Sequence, residues 1–382
     1  MAPHRCADEL EDVLLVDADV PVDPLLDTDR LDEISAFVNA QTAALRVLNL
    51  TIHDNPELGY HEFVAHDVLT RFMEARGWKV TRSAYGIATA FVAVFDSGVK
   101  GPVVSFNAEY DCLKDIGHAC GHNLIATASV AAALATAECI QQHKLKGKVI
   151  LFGTPAEEGG GGKIRLLDAG AYKDHGVDVS LMAHPGNVES HALVSTAAYE
   201  SFTAEYSGKE AHAAAQPWEG INALDGLITA YNGLSALRQQ TKPKDIIQGH
   251  ITNGGLAPNI IHAYASGNFV IRAENRKRLQ ELRKPEYPIP QPQIDFLLGF
   301  SNASTDQGNI SYAMPSLHAG FCIDAEAGPH TPKFTEAART QQAHDSALTT
   351  GKALAATAVE VLSRQGYLRE IKEEWAKNVG SQ

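Results

Sequence analysis

The sequence predicts an α/β protein with a mostly parallel sheet flanked by helices, interrupted by a smaller α+β segment. Two observations carry this expectation. β-rich apolar runs at residues 88–95, 102–107, 148–153 and 177–183 alternate with helical stretches at 124–143 and 163–169, the rhythm of a sheet covered on both faces. After Ala197 the grammar changes: a strand at 199–207 and a helix at 221–239 are followed by two strands close in sequence, 246–252 and 263–273. That order predicts an inserted antiparallel unit.

Taken in order, residues 1–30 are acidic, contain Pro21 and Pro24, and read as a loosely held arm. Periodic apolar residues predict a helix over 31–55, ended near Pro56, and a second over 62–76, stopped by Gly77. The first domain is expected to comprise 31–196 and 301–382, with 197–300 inserted in it. Pro285, Pro288, Pro290 and Pro292 mark residues 283–293 as linker or sheet edge, because a helix cannot continue through them. Strand-like runs resume over 301–330, and 346–365 reads as a closing helix.

Composition narrows the function classes. The 382 residues are 45% hydrophobic and 20% charged, ordinary for a globular chain, and the net charge of −14 disfavours nucleic acid or an anionic membrane as partner. Residues 124–137 form the longest apolar run, too short to span a bilayer and better read as a buried helix. The acidic N-terminus lacks a basic region followed by an apolar run. Five scattered cysteines suggest no disulfide framework. A cytoplasmic location is the resulting expectation.

Polar residues cluster where strands end: Glu109 and Asp111 after the 102–107 strand, Glu157 and Glu158 after 148–153, and His184 after 177–183. In open α/β sheets that edge forms active sites. The sharpest local signal is Gly117-His118-Ala-Cys120-Gly-His122-Asn123, with two imidazoles and a thiol in five positions. Thiolate and imidazole are good ligands for zinc-like ions, and Gly121 permits a tight turn. A packed cysteine beside capping histidines, with Asn123 as the helix cap, is the bland alternative. In Pro155-Ala-Glu157-Glu158, adjacent carboxylates repel, so a buried pair calls for a cation or a shared proton. One can ligate a metal while the other accepts a proton; a solvated acidic turn is the alternative. His212, following a strand among small residues, suits an oxyanion donor or a plain loop. Asn259 and Arg272 are candidate carboxylate holders, and His330 is one more histidine in a turn.

Together these motifs resemble the M20 family of metallopeptidases and aminoacylases, especially its branch of amidohydrolases that release amino acids from N-acyl conjugates. The matching stretches are His53-Asp-Asn-Pro-Glu57, Asn107-Ala-Glu-Tyr-Asp111, Gly117-His-Ala-Cys-Gly-His-Asn123, Pro155-Ala-Glu-Glu158, Met182-Ala-His184-Pro, Gly208-Lys-Glu-Ala-His212, Ser304-Thr-Asp306 and His330-Thr-Pro. The resemblance implies a catalytic domain holding two divalent ions (zinc or manganese, with cobalt or nickel as further options) and an inserted lid that commonly forms a homodimer. It implies hydrolysis of an amide bond in a dipeptide or N-acyl amino acid. Carried over, the ligands are Cys120, His122, Glu158, His184 and His330, with Cys120 bridging; Glu157 is the general base. His212 stabilises the oxyanion, Asn259 and Arg272 grip the substrate, and Asp111 orients a ligand histidine.

Two departures stand out. Lys114-Asp115 replaces a proline-glycine pair common in relatives, and the lid is short, with only 274–284 able to form its second helix before the prolines. An open sheet edge is therefore expected there. Three alternatives stay open from residues alone: amide-bond formation on the same scaffold, a non-catalytic metal-binding regulator, and a cysteine hydrolase using Cys120 with His122.

Overall fold

A computed structural model of the chain describes residues 28–192, 195–283, 300–301 and 304–380. The chain divides into two compact units, Met1–Val194 with Thr305–Ser381, and Ser195–Ser304. The expected arm over residues 1–27 and the proline-rich stretch from residue 284 lie outside the described residues.

The first unit is built on a six-stranded sheet in the order Lys79–Arg82, Phe91–Asp96, Lys148–Gly153, Val103–Ala108, Val179–Gly186, Ser316–Cys322. The last four run parallel, while Phe91–Asp96 is antiparallel to both neighbours. Both faces are buried, which is why these strands are apolar at successive rather than alternate positions. Val104, Phe106, Val149, Leu151 and Leu181 share one core with Leu48, Leu124 and Leu348, from the helices Thr28–His53, His122–His143 and Gln341–Ser363. Val103, Ile150 and Phe152 turn to the other face, against Leu166, Tyr172 and Ile310. Helix His122–His143 is apolar and long enough to cross a membrane, yet 94% of its apolar window is buried inside the protein. It is a core helix.

Several local expectations are corrected. Asn123 does not cap that helix: the N-cap is Gly121 in left-handed conformation, and the Asn123 amide donates to Asn49 Oδ1 and to the Ala338 carbonyl instead. The 301–330 stretch contains a helix, Gln307–Ala313, before its strand. His184 lies within its strand, which continues to Gly186. The strand Lys79–Arg82 and the helices Pro332–Ala338 and Tyr367–Gly380 were not anticipated. Among the described residues Cys112, Cys120 and Cys139 are free thiols.

The second unit is a three-stranded antiparallel sheet with Tyr264–Ala273 between Ala198–Ser207 and Ile246–Asn253. One face is covered. Ala265 and Phe269 pack against Leu227 of helix Ala223–Leu237, and Ile271 and Ala273 pack against Leu279 of helix Arg276–Arg283. Asn222 starts the longer helix by accepting from the Leu224 amide. Among the described residues of this unit, the element after Arg276–Arg283 is the two-residue strand Phe300–Ser301, which pairs with Ser195–Thr196. Ala198–Ser207 and Ile246–Asn253 are, among the described residues, the outer strands of the three-stranded sheet.

Candidate metal centre

Adjacent parallel strands bring the polar groups together at their carboxyl ends. Val103–Ala108 leads into Glu109 and Asp111, its neighbour Lys148–Gly153 leads toward Glu157 and Glu158, and Val179–Gly186 carries His184 near its end. Two unusual turns aim these side chains. Gly121 has φ +76°, and a Cβ there would sit 2.6 Å from Pro185 Cγ, so backbone and space both demand glycine between Cys120 and His122. Ala156 adopts φ 56°, uncommon for alanine. The buried carboxylate of Glu62 holds it there, accepting the Ala156 amide at 2.9 Å and the Thr89 hydroxyl at 2.7 Å.

Asp111 fixes His122. Its carbonyl oxygen accepts from His122 Nδ1 at 2.8 Å and its carboxylate lies 3.1 Å from the same nitrogen. The other carboxylate oxygen accepts the Glu158 amide at 2.9 Å. Burial would raise the Asp111 carboxyl, but the charge and hydrogen bond of His122 outweigh it and hold the group below the usual carboxylate range. With Nδ1 committed as a donor, His122 presents Nε2 to the site. That nitrogen stands 3.4 Å from Glu109 Oε2, 3.8 Å from Glu157 Oε2 and 3.9 Å from Glu158 Oε1. Although burial opposes it, Asp111 and Cys120 raise the imidazole well above its ordinary range.

The donor atoms form three groups, each with its members within 4.8 Å of one another: Cys120, His122 and His184; Cys120, Glu158 and His330; Glu109, His122 and Glu157. Cys120 belongs to the first two, so all five expected ligands are brought together around one shared thiol. Cys120 Sγ is 3.2 Å from His184 Nε2, and His184 donates through Nδ1 to the Pro185 carbonyl at 2.8 Å, leaving Nε2 as an acceptor. His330 Nε2 is 3.3 Å from Glu158 Oε1. The buried atoms His122 Nε2, Glu158 Oε1 and Glu109 Oε2 have no hydrogen-bond partner, an arrangement that is costly unless a cation satisfies it. Thiol, imidazole and carboxylate together fit divalent zinc-like ions.

Some residues take other places. His118 donates through Nε2 to the Ile52 carbonyl at 3.1 Å, and burial pushes it down to about 3; it is outside all three groups. Lys114 and Asp115 form a turn closed by paired 3.0 Å hydrogen bonds between Leu113 and Gly117. Sequence reasoning missed Glu62; it placed Glu109 at the active-site edge without a specific role and gave none to Lys163 or Asp306, and these three form a buried ion network beside His122. Burial pushes Glu157 well above the carboxylate range, reinforced by the charge of Glu109.

In the second unit, His212 and Asn259 are neighbours. His212 pairs with Ile260, and the Asn259 carbonyl accepts the Ala213 amide at 3.1 Å. His212 Nδ1 accepts the amides of Ala214 and Ala215, so its proton sits on Nε2. Arg272 is eight positions beyond Tyr264 along the central strand, ~27 Å at ~3.4 Å per residue. There it donates to Ser304 Oγ at 2.7 Å and stacks on Tyr199. Asn259 precedes the start of that strand in the chain, and Arg272 lies near its other end.

Residues 105–374 match the sequence profile of peptidase family M20/M25/M40. The chain is 38% identical to the Xaa-Arg dipeptidase of Mus musculus, over 91% of this chain and 90% of that protein. Two solved structures share the fold. A putative aminohydrolase from methicillin-resistant Staphylococcus aureus has a TM-score of 0.65 at 18% identity, covering 87% of this chain and 100% of its own. A dinuclear metal-binding M20 peptidase from Bacillus subtilis has a TM-score of 0.56 at 19% identity, covering 85% and 99%. The fold, the extent of the profile match and the long dipeptidase alignment together make this chain a hydrolase of peptidase family M20/M25/M40.

Proposed function

We propose that the chain hydrolyses the amide bond of a dipeptide or N-acyl amino acid using two divalent ions and Glu157 as general base. The observation that carries this is the pair of donor groups sharing Cys120, with the Glu157 carboxylate 3.8 Å from His122 in the same cluster. Cys120, His122 and His184 would hold one ion, and Cys120, Glu158 and His330 the other. Divalent ions bound there polarise a carbonyl and make water a nucleophile near neutral pH. Burial raises the Glu157 carboxyl, and cations held by these donors would oppose that shift. Glu157 then takes a proton from the attacking water and delivers it to the leaving amine. His212, with its proton on Nε2, suits donation to the developing oxyanion, and the neighbouring Asn259 suits a substrate carboxylate.

The long alignment with an Xaa-Arg dipeptidase makes dipeptides with a basic C-terminal residue the first substrates to try. Pairing of two copies through the second unit is part of this reading; among the described residues Ala198–Ser207 has a strand partner on one side only. A cysteine-hydrolase mechanism is disfavoured, because burial pushes the Cys120 thiol up whereas a nucleophilic thiol is pulled down. Amide formation uses the same residues in reverse, and product analysis separates the two directions.

The test is a dipeptide and N-acyl amino acid panel with metal-loaded, chelator-stripped and Glu157→Gln protein. Turnover disappears on stripping and returns on reloading. Glu157→Gln keeps its ions but loses roughly 100-fold or more in kcat. A metal-loaded Glu157→Gln protein with undiminished kcat removes the assigned mechanism.

A further inference from the structure

We propose that Glu109 is an additional metal ligand of this centre, clamped by Lys163 and Asp306 so that its free oxygen shares an ion with His122 Nε2. The inference rests on the two-ion reading above and adds a donor to it.

Glu109 follows the strand Val103–Ala108 and is fully buried. Its Oε1 accepts from Lys163 Nζ at 2.5 Å. Lys163, also fully buried, donates to Asp306 Oδ1 at 2.6 Å through Nζ and to Asp306 Oδ2 at 2.8 Å through its backbone amide. Both oxygens of Asp306 and one of Glu109 are thus engaged. One ammonium faces two carboxylates, so the trio retains one negative charge, and only Glu109 Oε2 is left to present it. That oxygen has no hydrogen-bond partner, and neither has His122 Nε2, 3.4 Å away.

The spacing is informative. Two donors on one tetrahedral ion at about 2.0–2.1 Å each stand about 3.3–3.4 Å apart. A structural ion pair needs no such arrangement, since Lys163 satisfies Glu109 through Oε1 alone. Lys163 and Asp306 act here as positioning residues: they fix the carboxylate through one oxygen and leave the other facing the imidazole. An added carboxylate oxygen also shifts the donor set toward harder ions such as manganese.

The test compares wild type, Glu109→Gln and Glu109→Asp as full-length protein, stripped and reloaded with cobalt(II) or zinc(II). Metal stoichiometry and affinity, the cobalt visible spectrum and the number of nitrogen and oxygen donors from X-ray absorption are read together. Wild type is expected to hold two ions. In Glu109→Gln one ion is held at least about 10-fold more weakly, its visible bands shift, and its donor count falls by one. Glu109→Asp keeps the charge facing Lys163 but withdraws the oxygen by one methylene, and shows the same loss if the glutamine variant does not fold. Unchanged affinity and spectrum in the variants overturn the proposal. A weakened ion with an unchanged donor count also overturns it, placing Glu109 outside the coordination sphere. Wild type that takes up no ion removes the metal centre itself, an outcome distinct from failure of Glu109 alone.

Discussion

His122 Nδ1 meets Asp111 twice, at 2.8 Å from its carbonyl oxygen and 3.1 Å from its carboxylate. The double contact sets both the rotation of the imidazole and the nitrogen that carries its proton. The same carboxylate accepts the Glu158 amide, so one buried acid ties together donors that follow two different strands.

Asp111→Asn leaves the carbonyl contact but removes the negative charge that both His122 and the Glu158 amide use. Ion affinity is expected to fall about 10- to 100-fold, the usual cost of losing such a partner. Competition against a chromogenic chelator measures it, and wild-type affinity in the variant would contradict the orienting role.

The turn before His122 gives a second prediction through a comparison of two glycines. Gly98 and Gly121 have nearly the same positive φ, +75° and +76°, but a Cβ on Gly98 meets nothing within 4 Å while one on Gly121 meets Pro185 at 2.6 Å. Gly98→Ala is expected to cost only the left-handed strain, about 1–2 kcal/mol. Gly121→Ala adds a clash in the core of the site, so it costs distinctly more and lowers metal content as well. Urea denaturation and metal analysis of both variants check this; equal costs would show that the Pro185 contact is readily relieved.

These features were unequally legible in the sequence. The strands carrying the site could be read because both faces are buried, so Lys148–Gly153 and Val103–Ala108 are nearly unbroken apolar runs. Lys79–Arg82 has no such run, since three of its four residues are exposed, and its strand state is set by pairing with Phe91–Asp96. Cys120 and His122 announced themselves by spacing around a glycine. Asn123 misled because asparagine is a common cap, whereas here Gly121 makes the turn and Asn123 serves the interior. Lys163 was invisible as a site residue: lysine ordinarily reads as surface, and only the folded chain sets it between Glu109 and Asp306, distant in sequence from it and from each other. Glu62 was hidden for the same reason, its partners being Thr89 and Ala156.

Lys163 supports a third prediction, about stability. Lys163→Met leaves Glu109 and Asp306 buried without their common partner, and breaking a buried ion pair from one side costs about 3–5 kcal/mol. The triple variant Lys163→Met, Glu109→Gln, Asp306→Asn removes both orphaned charges and is expected to recover part of that loss. Urea unfolding of the single and triple variants measures the difference. A single variant within about 1 kcal/mol of wild type would mean that water or a proton readily replaces the ammonium.

A fourth prediction concerns pH and lies away from the metal donors. His344 is buried, and its Nδ1 stands 3.2 Å from the Asn49 side-chain amide, which donates to it. Burial, reinforced by the Arg46 charge and opposed by Asp345, lowers its pKa below the ordinary 6.5. The folded protein therefore keeps the ring neutral while the unfolded chain takes up a proton below about pH 6.5. The contribution of neutral His344 is fully present above that pH and declines as pH falls through 6.5 toward the folded value. The slope approaches about 1.4 kcal/mol per pH unit where only the unfolded chain binds the proton. His344→Gln retains an acceptor for Asn49 and does not titrate. Its stability curve should thus fall less steeply than that of wild type between pH 7 and pH 5, as measured by urea unfolding at each pH. Other buried histidines such as His66 titrate in both proteins and cancel in the difference. Parallel curves across that range would show that His344 takes up its proton equally readily in the folded state.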